Sequence, residues 1–162
     1  MREADADYVL LDSTLGECDR GGDRRVGYSH KHRWHGANVQ VLTDPAGQLL
    51  WISPALPARA HDLTAACTHR IIQICERQGV PILAAPAYMG AGLWVTTPLR
   101  RPPGRWLTPT QQTVNRALSA GRAPVERGVA RLESLRIFRR SRRSSNRMTS
   151  IAAAVLTLER QR

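Results

Sequence analysis

No acidic residue stands between Glu76 and Glu126, and lysine occurs only once, at Lys31. The first absence excludes any chemistry that needs a carboxylate from the middle of the chain. The second leaves arginine to meet anionic partners, and its planar guanidinium fork matches phosphate geometry. A GC-rich coding composition would produce the same preference for arginine, but not the net charge of +11. Long apolar runs are also missing. A stretch such as Ile82-Leu83-Ala84-Ala85-Pro86-Ala87 is far too short to cross a bilayer. The acidic start, Met1 to Asp7, carries no apolar signal region, so no secretion is expected. Cys18, Cys67 and Cys75 follow no pattern, which excludes a disulfide framework and a zinc knuckle and fits a reduced, cytoplasmic chain.

The charge is unevenly placed. Residues 1–76 hold ten acids and eight bases, whereas residues 77–162 hold three acids and sixteen bases. A positive stripe of this kind suits a polyphosphate partner. With 162 residues, the chain has the length of one domain with a substantial core.

Hydrophobic periodicity orders the elements. Tyr8-Val9-Leu10-Leu11, ending at Asp12, reads as a buried central strand. Gly16 to Gly27 is polar and glycine-rich and reads as a loop. His35 to Thr43 alternates, with Ala37, Val39 and Val41 on one face and Asn38 and Gln40 on the other, as in a half-buried strand. Asp44-Pro45-Ala46-Gly47 has turn chemistry and leads into a strand over Leu49 to Ser53. Leu63, Ala66, Cys67, Ile71, Ile74 and Cys75 fall at helical spacing, with Gly79 as a C-terminal cap. Val80 to Ala84 reads as a buried strand, Trp94 to Thr97 as a short one, and Arg100 to Arg105 as a basic loop. Thr108 and Gln111 form a capping box for a helix that runs past Leu132, with Gly121 and Pro124 marking a break or kink. Arg136 to Arg143 packs five arginines into eight residues. Met148, Ile151, Val155 and Leu158 give a final amphipathic helix.

This order of elements, with Asp12 closing the first strand and Glu126 on the late helix, resembles the ribonuclease-H-like core of DDE transposases. The local motifs resemble the insertion-sequence-five group, related to Harbinger elements: Leu11-Asp12-Ser13-Thr14, Tyr28 to Gly36, Arg59-Ala60-His61-Asp62, and Arg122-Ala123-Pro124-Val125-Glu126. The resemblance runs from about Tyr8 to the C-terminus. It implies an α/β domain, a mixed sheet flanked by helices, spanning 1–162 as one catalytic core without the helix-turn-helix region that precedes the core in the family. It also implies metal-dependent cleavage and strand transfer on double-stranded DNA, using Mg²⁺ or Mn²⁺ held by three carboxylates. Asp12 and Glu126 would be catalytic and metal-ligating. The second carboxylate belongs in a motif of the form Asp-x-x-Tyr-x-Gly. Tyr88 and Gly90 match it, and Ala85 stands where the aspartate belongs. A methyl group cannot ligate a metal, so little or no catalysis is expected, with at most a weak residual site. Glu133 takes a position the family commonly gives to lysine.

Each assignment has a plainer counterpart. Asp12 could be a turn residue, Glu126 a helical ion pair with Arg122, and Asp62 a helix cap or a substitute ligand. His30, His32 and His35 read as surface histidines rather than a metal cluster. Trp34, Trp51, Trp94 and Trp106 read as packing residues rather than base-stacking platforms. The expected DNA contacts are Arg100, Arg101, Arg105, Arg127, Arg131, Arg136, Arg139, Arg140, Arg142 and Arg143, giving salt-sensitive affinity with little sequence preference. The expected setting is the bacterial cytoplasm at the nucleoid, with possible self-association or assembly with a full-length transposase. The rival readings are a basic DNA-binding module without chemistry and a small RNA-binding protein.

Overall fold

The structure is a computed structural model describing residues 7–17, 28–29, 34–134, 145–159 and 161. β1 (Val9–Glu17) lies at the centre of a mixed sheet. It runs antiparallel to β3 (Trp34–Thr43) on one side and parallel to β6 (Ile82–Ala84) on the other. β7 (Val95–Thr96) extends the sheet beyond β6. Along its far edge, β3 pairs with β2 (Tyr28–Ser29), β5 (Leu56–Pro57) and β4 (Leu49–Ile52). This order, with an antiparallel hairpin on one side of a parallel crossover, is the ribonuclease-H-like arrangement that the resemblance implies.

The apolar run Val9-Leu10-Leu11 is continuous because both faces of β1 are covered. Leu10 packs with Val39, Val41, Val125, Leu132 and Met148, while Val9 and Leu11 pack with Ala66, Ile71, Cys75 and Tyr88. The first cluster is closed by α3 (Pro109–Ser134) and α4 (Ser145–Glu159). The second is closed by α1 (Asp62–Thr68) and α2 (Ile71–Arg77). Gly16 makes room for α4, since a Cβ there would sit 2.6 Å from the Met148 methyl.

Several expectations change. β1 continues through Gly16 to Glu17, so Asp12 lies mid-strand opposite Val41 rather than at a strand end. What ends near Asp12 is β6, whose last paired residue, Ala84, faces Leu11. The helix expected from Leu63 to Gly79 is two helices. Cys67, at helical spacing from Ile71, is exposed, so the buried positions step from Ala66 to Ile71, longer than the three or four residues that keep one face. Arg70, left-handed at φ 56°, absorbs the difference. Gly79 does follow α2 in a left-handed conformation, φ 70°, as a C-terminal cap requires.

The capping box forms. Thr108 N–H donates to Gln111 Oε1 at 2.9 Å, and Gln111 N–H donates to Thr108 Oγ1 at 3.2 Å. Of the break or kink expected at Gly121 and Pro124, no break occurs, and α3 is continuous through both. The Pro124 carbonyl abuts Gly47 in the β3–β4 turn, and the Leu83 side chain fills the space a Cβ on Gly121 would meet at 3.2 Å. Tertiary packing therefore sustains the helix where local propensity would interrupt it. Arg136, Arg139, Arg140, Arg142 and Arg143, with His30, His32 and residues 18–27 of the expected loop, lie outside the described residues.

Candidate functional site

Asp12 and Ala85 come next along their strands after the Leu11–Ala84 pair, at the point where β6 turns away into a short 3₁₀ turn, Pro86–Tyr88. The space left beside β1 is a cleft of about 1080 Å³ whose lining includes Asp12, Thr14, Asn38, Asp62, Ala85 and Glu133. Even residues of β1 turn towards α3, as Leu10 does by packing on Val125 and Leu132. Asp12 shares that face and meets Arg122 from the helix, with Arg122 Nη2 3.3 Å from Asp12 Oδ2. The same nitrogen lies 3.4 Å from Glu126 Oε1 one turn later. The two acids expected to share a site therefore converge on one guanidinium.

Arg122 is 8% exposed, whereas the Glu126 side chain is 56% exposed. Glu126 thus approaches from the solvent side. The other oxygen of Asp12, Oδ1, accepts the Ser13 backbone N–H at 2.8 Å. Burial pushes the Asp12 carboxyl above the usual aspartate value; the Ser13 N–H and the Arg122 charge offset part of that rise. Glu133, although exposed, accepts the Thr14 hydroxyl at 2.8 Å, which ties the far end of α3 to β1.

Asn38 and Gln40 do not face solvent. Both are buried, and they form a hydrogen-bonded chain that the alternating pattern alone did not reveal. Tyr88 donates its hydroxyl to Gln40 Oε1 at 2.6 Å, and Gln40 donates to Asn38 Oδ1 at 2.7 Å. Asn38 donates to Asp62 Oδ1 at 2.8 Å and to the Ala60 carbonyl at 3.0 Å. Burial, then the charges of Asp62 and Asp12, push the Tyr88 phenol far above its ordinary value. Asp62 is the first residue of α1 rather than its cap. The cap position belongs to His61, which makes no side-chain capping bond. Asp62 instead terminates the amide chain. The one sequence signal for this network was two amides on a strand whose neighbours are all apolar.

The basic loop before α3 is exposed at Arg100, Arg101 and Arg105, as are Arg127 and Arg131 on α3. Trp106 is not a packing residue, since it is 82% exposed. Arg101 lies over its ring, 4.5 Å from the centroid. Asn115 anchors the loop by accepting the Leu99 N–H at 2.8 Å and donating to the Leu99 carbonyl at 2.9 Å. Trp51 does pack, edge-on to His69 at 5.9 Å.

Residues 11–160 match the family described as DDE superfamily endonuclease. The chain belongs to that family. Comparisons with curated proteins and with solved structures returned no match. DDE superfamily endonucleases generally use divalent metals, yet the donor set here does not fit them. Among the described residues no group of three or more His, Cys, Asp or Glu is arranged to hold an ion. Ala85 contributes a methyl group, and Asp12 and Glu126 both face a guanidinium. No described helix is long and apolar enough to cross a membrane.

Proposed function

We propose that this chain is a transposase-derived DDE domain of the insertion-sequence-five group, related to Harbinger elements, which binds double-stranded DNA but is impaired in cleaving it. One observation carries the reading: beside Asp12, where β6 gives way to the cleft, stands Ala85, and no acid lies between Glu76 and Glu126 to replace it. Asp12 and Glu126 are the remnants of the catalytic set in this proposal, and Ala85 marks the lost member.

Arg100, Arg101, Arg105, Arg127 and Arg131 are exposed and suit phosphate contacts, with Arg136, Arg139, Arg140, Arg142 and Arg143 extending the same basic half. A domain that holds DNA without cutting it would compete with an intact relative, or join it in a mixed assembly. The test is nicking of supercoiled DNA with Mn²⁺ by the chain and by Ala85→Asp, beside a gel-shift assay with duplex DNA and duplex RNA. The chain should shift DNA without nicking it, and the variant should nick at least about tenfold faster. Equal nicking by the two proteins would refute the defect, and a preference for RNA would refute the DNA assignment.

A further inference from the structure

The contact between α3 and β1 has an unusual form. An arginine that recognises a carboxylate through its fork normally spends two nitrogens on one partner. Arg122 instead shares a single nitrogen, Nη2, between Asp12 and Glu126, while its buried Nε has no hydrogen-bond partner among the described residues. Its placement follows the charge on either side rather than the fit to either carboxylate. That is how a bound cation is held.

We infer that the Arg122 guanidinium is the resident cation of the Asp12–Glu126 cluster, standing where a divalent ion would otherwise be required to keep the two carboxylates together. The inference rests on the reading of Ala85 as a lost carboxylate. With alanine at 85, two negative groups face one positive group, leaving a net charge of about −1, which a partly solvated cleft tolerates. An aspartate at 85 would take the cluster to about −2 and give a divalent ion charge to neutralise. The folded chain therefore neither needs a metal at this position nor offers one enough free oxygen. Arg122 acts here through the carboxylates, as a positioning residue.

The test measures melting temperature in chelator and in millimolar Mn²⁺, with Mn²⁺ binding followed by electron paramagnetic resonance. The proteins are the wild-type chain, Arg122→Gln and Arg122→Lys. The wild-type chain should melt at the same temperature in both conditions and leave the Mn²⁺ signal unchanged. Arg122→Gln should melt lower in chelator by roughly 5 °C, since a charge pair loses its counter-ion. It should recover part of that loss when Mn²⁺ is added, and Arg122→Lys should need no Mn²⁺.

A purely structural role for Arg122 would give the destabilisation without the Mn²⁺ recovery, and that result overturns the inference. So does Mn²⁺ binding by the wild-type chain. Should Arg122→Gln fail to fold in chelator, recovery of the fold on adding Mn²⁺ supports the inference and its absence overturns it. Wild-type nicking of DNA sinks the proposed function, whereas wild-type Mn²⁺ binding without nicking sinks this inference alone.

Discussion

Tyr88 is fully buried, and its polar end is met inside the fold. Its hydroxyl donates to Gln40 at the head of the buried amide chain. Tyr88→Phe removes the donor to a fully buried Gln40, leaving an acceptor unmet. Urea denaturation should show a loss of about 1–3 kcal/mol. His69 lies against Trp51 and an apolar cavity lined also by Val9, Ile71 and Cys75. Burial holds its imidazole below the usual histidine value, only partly offset by a hydrogen bond to the Pro54 backbone. A depressed folded-state value means that its contribution to stability is present above the unfolded value of 6.5 and is lost as pH falls through the folded one. Melting curves of the wild-type chain and His69→Gln should therefore diverge with pH. Acidification below 6.5 should destabilise the wild type more than the variant, and parallel curves would count against this account.

The β3–β4 turn and α3 support one another. Asp44 Oδ1 accepts the Ala46 and Gln48 N–H groups, and Gly47 adopts φ 88°. A Cβ at Gly47 would lie 2.8 Å from the Pro124 carbonyl oxygen, between two backbones that cannot both yield. Gly47→Ala should therefore cost about 2–4 kcal/mol in chemical denaturation, combining left-handed strain with overpacking. The turn itself was legible in Asp44-Pro45-Ala46-Gly47, because turn chemistry is local. Its docking on Pro124 was not, because that contact joins segments far apart in the chain. The same division runs through the site. Asp12, Ala85 and Glu126 could be placed from motifs in order, and the capping box from four adjacent residues. The Arg122–Asp12 contact, the unbroken α3 and the buried faces of Asn38 and Gln40 depend on what packs across the sheet, which periodicity does not encode. The split between α1 and α2 was not legible, because Cys67 and Ile71 keep helical spacing and only the exposure of Cys67 in the fold opens the step.

The charge of the chain as a whole predicts how it binds. An arginine-rich surface that contacts phosphates releases counter-ions, so affinity should fall steeply as salt rises. Replacing Arg101 with Ala should lower the slope of log affinity against log salt by about one if it contacts a phosphate. Fluorescence anisotropy with duplex DNA measures this directly, and an unchanged slope would remove the loop from the interface. Trp106→Ala alters no charge and should leave the slope as it is. The two hydrophobic clusters, finally, lie on opposite faces of a shared β1: Leu10 belongs to one, and Val9 and Leu11 to the other. Their amides are further enclosed between β3 and β6. Neither half of the molecule can open alone without stripping one side of that strand. Deuterium should thus reach Leu10 and Leu11 only when the entire sheet comes apart, making β1 the slowest-exchanging segment and the point through which the two faces unfold cooperatively.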